Sequence, residues 1–190
     1  MAEKLSQRTV WEKILDKLSK KSLWMLHYCT GCGAIELPPT MTSRYDMSRY
    51  GIAPMVTPRQ ADILLITGYL SAKTLKRVIL TFEQMQSPKY VVGFGSCTIN
   101  GGMYWNSYAT IKRLDRYLPV EMYIAGCMPR PEAILTAFNT LIQKIDDGKA
   151  NTWKEYYTNY DFYNANQTKV LGEFDTLTDI KSDQHFFDIK

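Results

Sequence analysis

No stretch of this 190-residue chain is apolar for the ~20 residues that a helix needs to cross a bilayer. The longest candidates, Ala61–Leu70 and Tyr90–Gly95, are strand-sized. The first ten residues, MAEKLSQRTV, hold no apolar signal core. The chain therefore reads as soluble and intracellular, with no transmembrane segment of its own, and any membrane association comes through partners. Dense clusters of Lys or Arg are lacking as well. The formal charge is only +4, which does not favour nucleic acid. There is no dinucleotide fingerprint, since "GFGSC" is not G-x-G-x-x-G. Histidine is scarce, with His27 and His185 the only two. Cysteine is scarce too, with Cys29, Cys32, Cys97 and Cys127 the only four. Structural disulfides are rare inside cells, which leaves buried thiols, a redox pair or metal ligands.

What is there fits one domain with a proper core: 45% hydrophobic and 22% charged residues are ordinary for a globular chain. Thr9–Ser19 reads as a helix. Thr9 and Glu12 form a capping box, and Trp11, Ile14, Leu15 and Leu18 share a face. Ser22–Tyr28, Asp62–Thr67, Lys89–Phe94 and Glu121–Ala125 are short apolar runs that read as buried strands. Helical patterns lie between them. Ser71 can cap one that carries Leu75, Val78, Ile79, Phe82 and Met85. Tyr108–Tyr117 is a shorter candidate. Pro131 suits the first turn of a third, which carries Ile134, Leu135, Phe138, Leu141 and Ile145 and has Gly148 near its end. Strands alternating with helices predict an α/β fold with a mostly parallel sheet.

The expected division is a domain over 1–150, N-terminal helix included, and an extension over 151–190. The extension holds four Lys against seven Asp or Glu, a net of −3, so 1–150 carries +7 against the chain's total of +4. Trp153, Tyr156, Tyr157, Tyr160, Phe162 and Tyr163 crowd this acidic stretch without a clean period. It is expected to wrap over the domain or a partner.

Each cysteine follows a predicted strand: Cys29 and Cys32 the first, Cys97 the third, Cys127 the fourth. Ligands of open α/β sheets bind at the carboxyl edge of the strands, so thiols from three strand ends should converge there. Gly31, Gly33, Gly95, Gly101, Gly102 and Gly126 sit beside them and let backbone approach a bulky cofactor. Backbone N–H groups can also bond to sulfur and tune it. The spacing C-x2-C-x64-C-x29-C favours an iron–sulfur cluster. Structural zinc usually draws on two close pairs. A thioredoxin-like pair would open a helix and needs no further cysteines. A zinc-stabilised binding module, a thiol oxidoreductase and unrelated buried cysteines stay open on spacing alone.

The segments "CTGCGAIE", "SRYDMSRYGI", "TPRQADILLITG", "VVGFGSCTINGG" and "AGCMPRPEAIL" resemble the small, cluster-bearing subunit of complex I-related enzymes. That family includes the corresponding small subunit of NADH–quinone oxidoreductase. It also includes the small subunits of archaeal membrane-bound [NiFe] hydrogenases and of the related sulfane-sulfur reductase. The resemblance covers about residues 22–145 and leaves the extension unexplained. It implies a flavodoxin-like fold with helices on both sheet faces, and one [4Fe–4S] cluster ligated by Cys29, Cys32, Cys97 and Cys127. It further implies electrons arriving from a ferredoxin-like subunit and leaving to a large catalytic subunit. Membrane subunits of an ion-pumping complex would anchor the chain peripherally on the cytoplasmic side. Quinone-reducing relatives typically carry two adjacent cysteines at the first position, where this chain has C-x-x-C. The hydrogenases usually have Asp after the second cysteine, where this chain has Gly33. The mixture suits the sulfane-sulfur-reductase branch, with the hydrogenase and quinone branches as alternatives.

By the same resemblance, Glu36 helps move protons near the cluster. Arg44, Tyr45, Asp46 and Arg49 form a loop facing the large subunit and the acceptor, and Arg59 has a role near the cluster. An ordinary loop carboxylate and an ordinary interface loop are the plain readings. His27 reads as a hydrogen-bonded core residue. The methionines read as core or subunit contacts rather than ligands, with Met41, Met47 and Met55 suited to a packed interface.

Overall fold

The computed structural model describes residues 22–172. The helix expected at Thr9–Ser19, the end of the extension and His185 lie outside the described residues. The elements run β1 (Leu23–Cys29), α1 (Gly33–Met41), β2 (Ile52–Met55), β3 (Ile63–Thr67), β4 (Leu70–Ser71), α2 (Ala72–Gln84) and β5 (Tyr90–Phe94). They continue through α3 (Ser96–Asn100), β6 (Thr110–Ile111), β7 (Val120–Ile124), α4 (Pro131–Asp146), α5 (Thr152–Thr158) and α6 (Tyr160–Leu171).

Five strands make one sheet in the order β2-β1-β3-β5-β7, every neighbouring pair parallel. Counted within that sheet, the order is 2-1-3-4-5, the flavodoxin-like one, whose switch point lies between β1 and β3. All five residues of β3 and of β5 are buried, as parallel strands covered on both faces must be. Their alternation divides the core. Ile63 and Leu65 point to the side where Leu37 of α1 and Ile134, Phe138, Leu141 and Ile145 of α4 pack. Leu64 and Ile66 point to the side of Leu75, Val78, Ile79 and Phe82 of α2. Helices therefore cover both faces. Ser71 caps α2 in a full capping box with Thr74, two orphan N–H groups being satisfied reciprocally.

One local expectation needs correction, and two elements, β2 and α1, carry no expectation. Tyr108–Tyr117 is not a helix. Ile111 and Thr110 pair antiparallel with Leu70 and Ser71, and a 3₁₀ turn follows at Leu114–Arg116. The buried Leu114 and Leu118 stand four apart like a helix face, but Arg113 adopts φ 62° and breaks any helical path. Strand β2 went unseen because "IAPM" is short and holds Pro54, a residue that a sheet tolerates at its edge, where β2 lies. Helix α1 was hidden by Pro38 and Pro39, which each remove an N–H from its last turns.

Residues 152–171 form two helices. Tyr156 is 1% exposed, its ring centroid 5.1 Å from that of Phe82 and 5.0 Å from that of Tyr163. Thr152 is held at the start of α5 by the buried Glu121, whose Oε2 accepts from the Thr152 hydroxyl at 2.7 Å. The buried Gln167 donates from Nε2 to the Tyr117 carbonyl at 2.8 Å. Tyr156→Ala should cost about 3–5 kcal/mol of stability, the usual range for a deleted core aromatic. Phe162→Ala, at a position 56% exposed, should cost under about 1 kcal/mol. Urea unfolding followed by circular dichroism checks both, and equal effects would contradict the packing of α5 on α2.

Candidate metal centre

Cys29 is the last residue of β1, opposite Thr67, the last residue of β3. The chain then turns tightly. Thr30 N–H donates to the Thr67 carbonyl at 2.9 Å, and the Thr30 hydroxyl lies 2.7 Å from that oxygen and 2.6 Å from the Tyr69 carbonyl. Two backbones meet here. A Cβ on Gly68, at φ +86°, would stand 2.6 Å from the Gly31 nitrogen. The Cys29 thiol donates to the Gly31 carbonyl at 3.2 Å. Cys32 is the N-cap of α1, so the C-x-x-C segment spans the gap between a strand end and a helix start.

Cys97 lies in the short helix α3, entered through Gly95 at φ 82°. Gly101 and Gly102, at φ 93° and 52°, fold the chain back over it. A Cβ on Gly102 would sit 3.0 Å from Cys97 Sγ, and the Met103 backbone N–H hydrogen-bonds to that sulfur. Cys127 follows β7. Its loop is tied to that of Cys97, because the Gly126 carbonyl accepts from Ser96 N–H at 2.9 Å and from the Ser96 hydroxyl at 3.2 Å.

The four thiols share one electrostatic field. Burial pushes the Cys32 thiol up, and Cys97, Cys127 and Cys29 add like-charge repulsion. Cys97 is raised by burial and then by Cys127, against the Met103 N–H that lowers it. All four are free thiols, Cys29 and Cys127 exposed and Cys32 and Cys97 half-buried. The C-x-x-C segment does open a helix, so that feature does not separate it from a redox pair; Cys97 and Cys127 in the same field do, because a redox pair needs no further cysteines. Among the described residues, no group of three or more His, Cys, Asp or Glu closes on a point where one ion would sit. One zinc ion needs its thiolates within about 2.3 Å of a single centre. A cubane takes each thiolate at a separate iron and so spreads its ligands further apart than a single zinc ion does.

Glu36 lies one turn beyond Cys32 on the same face of α1, half-buried. Arg44 is exposed, its guanidinium carbon 5.4 Å from the Tyr45 ring centroid. Tyr45 Oη donates to Glu132 Oε1 at 2.7 Å, which ties this loop to the first turn of α4. The bond raises the Tyr45 pKa and lowers that of Glu132. Arg49 Nε donates to Asp46 at 2.8 Å. Arg59 sits in the exposed 3₁₀ turn that leads into the amino end of β3, whereas the cysteines lie past carboxyl ends. His27 Nε2 is 2.8 Å from the Thr67 hydroxyl, as a hydrogen-bonded core histidine should be, and burial lowers its pKa. Met47 is core, at 1% exposed. The exposed rim went unread in the sequence. It comprises Ile35, Tyr69, Met103, Trp105, Tyr108 and Met128, on loops and helix starts past the same strand ends. The aromatic run "MYWNSY" after Cys97 was the available signal.

Residues 29–141 match the model of the family described as NADH ubiquinone oxidoreductase, 20 Kd subunit. The chain belongs to this family. Among curated relatives, the NAD(P)H-quinone oxidoreductase subunit K of the chloroplast of Lupinus luteus is 35% identical, over 92% of this chain and 83% of its own length. That of Gossypium barbadense is 40% identical over 76% and 67%. Among solved structures, a chain of the membrane-bound sulfane sulfur reductase, an archaeal respiratory membrane complex, is 54% identical with a TM-score of 0.82. It covers 85% of this chain and 92% of its own. Family membership makes this chain a subunit of a complex I-like oxidoreductase, and no helix among its described residues is long and apolar enough to cross a membrane.

The raised thiols have a direct consequence. Thiolate is the reactive form, so alkylation of Cys97 in the metal-free chain should accelerate with pH through a midpoint above that of free cysteine. Site-resolved mass spectrometry across a pH series measures it. A midpoint below that of free cysteine would contradict the burial and repulsion described.

Proposed function

We propose that this chain is the electron-transfer subunit of a membrane-bound oxidoreductase of the sulfane-sulfur-reductase type, and that Cys29, Cys32, Cys97 and Cys127 hold one [4Fe–4S] cluster. The observation that carries this reading is the arrival of four free thiols in one field at the carboxyl edge of the sheet. The 54% identity to a chain of the sulfane sulfur reductase supports the branch, against 35–40% for the quinone-reductase relatives.

When bound, such a cluster supplies one-electron transfer between partners. The chain's own residues fix its place and tune it. The thiols of Cys29 and Cys127 open to the rim, while Cys32 and Cys97 anchor the inner side. The Met103 N–H stabilises charge on the Cys97 sulfur. Glu36, one turn from Cys32, is placed to exchange a proton beside the site, and Arg44 lends positive charge to the acceptor side. Electrons enter from a ferredoxin-like subunit and leave to the large catalytic subunit. Membrane subunits hold the assembly, with this chain peripheral on the cytoplasmic side.

Iron and nickel analysis of the native complex, with electron paramagnetic resonance of the reduced sample, tests the reading. Abundant iron without nickel, and reduction of sulfane sulfur, are expected. Nickel at about one per complex would assign a hydrogenase instead, and quinone turnover without sulfane-sulfur reduction a quinone reductase. Cys97→Ser and Cys127→Ser should each abolish one cluster signal and remove about four irons. A colourless wild-type chain with one zinc would overturn the proposal in favour of a binding module.

A further inference from the structure

Gly33 has no backbone reason to be glycine. It is not among the positive-φ residues, and it opens a helix, where alanine is intrinsically better than glycine. Space is the reason. A Cβ on Gly33 would stand 2.3 Å from both Thr67 Cβ and Thr67 Oγ1 and 2.5 Å from Thr67 Cγ2. Thr67 is 0% exposed and cannot swing into solvent. The same residue holds the other side of the C-x-x-C segment, since its carbonyl accepts from Thr30 N–H at 2.9 Å and lies 2.7 Å from the Thr30 hydroxyl. Its own hydroxyl meets His27 Nε2 at 2.8 Å. Thr67 thus touches the residue after Cys29 and the residue after Cys32, while its Cα pairs with Cys29 across the β1–β3 ladder.

We propose that Thr67 is the positioning residue of the first ligand pair, its side chain filling the space beside Gly33 so that Cys29 and Cys32 are presented as ligands and position 33 is closed to one. The inference rests on the cluster reading above. A cysteine placed at position 33 would have to displace Thr67 before its sulfur could point at the site.

The test uses the full-length chain, loaded anaerobically with iron and sulfide and challenged with a chelator. Gly33→Ala should retain cluster iron about 10–100-fold less well than wild type, the range for groups that orient ligands, and should shift the paramagnetic g-values of the reduced cluster. Adding Thr67→Ala to Gly33→Ala should restore retention towards wild type, because the two side chains compete for one space. Thr67→Val keeps the shape and volume that fill the space, so it should hold its iron with g-values near those of wild type. Thr67→Ala alone leaves the space beside Gly33 empty and should both loosen iron retention and shift the g-values. Comparison of Thr67→Ala with Thr67→Val decides the matter even where Gly33→Ala fails to fold. Wild-type retention and g-values in Gly33→Ala, no rescue in the double variant, or the same signature in Thr67→Ala as in Thr67→Val would each overturn the proposal. A wild-type chain that never shows a cluster signal would instead sink the cluster reading itself.

Discussion

The pairing of Cys29 with Thr67 at the ends of β1 and β3 is the constraint on which the site depends. These strands flank the switch point of the sheet, where connections leave to opposite faces and a crevice opens. The chain after β1 turns towards α1, and the chain after β3 turns towards α2. They part from a contact so close that Gly31 and Gly68 can carry no side chains without shifting backbone. Parallel pairing fixes the height of Cys29. The Thr67 carbonyl fixes the turn, and the space beside Gly33 fixes where α1 begins. The β5–β7 pairing then repeats the device, with Gly95 N–H bonded to the Ile124 carbonyl at 2.8 Å and the Cys97 and Cys127 loops joined through Ser96.

This geometry leaves the metal-free site in electrostatic tension. Thiols partly withdrawn from water and set in one another's field resist ionisation, as the raised Cys32 and Cys97 show. An acid whose folded-state pKa is raised holds its proton longer in the fold than in the open chain. The folded metal-free state is therefore favoured at low pH and loses that advantage as pH rises through the thiol range. Metal ions reverse the balance, because ligation needs thiolates and their mutual repulsion is offset by the cation charge. On the proposed reading, the arrangement that is poor for four bare thiolates is the one a cluster relieves.

The strongest sequence signals were local and periodic. The apolar runs ending near Tyr28, Thr67, Phe94 and Ala125 became four parallel strands within a residue or so of their expected ends. Ser71 and Pro131 opened the helices that their chemistry predicts. The placement of cysteines after strand ends carried the site. What escaped was non-local or contradicted local propensity. Pro38 and Pro39 lie in a helix held by Leu37 and Thr40 in the core, and Pro54 lies in a strand that pairs on one side only. Leu114 and Leu118 copied helical spacing while β6 was set by the pairing of Ile111 with the distant Leu70. The Tyr45–Glu132 bond joins residues 87 positions apart, and Gly33 looks dispensable until Thr67 is seen against it.

The rim completes the physical logic. Met103 is 79% exposed, Trp105 64% and Ile35 63%, on the segments that follow Cys97 and Cys32. Where large apolar side chains lie together they mark a contact surface rather than a solvated one. Exposed thiolates are open to oxidation, and water around a cluster changes its potential. A partner seated on the rim would therefore do two things at once: bury apolar side chains, and exclude solvent from the outer sulfurs. On the proposed reading, the potential at which electrons pass is a property of the assembled interface, and this chain supplies the inner half of it.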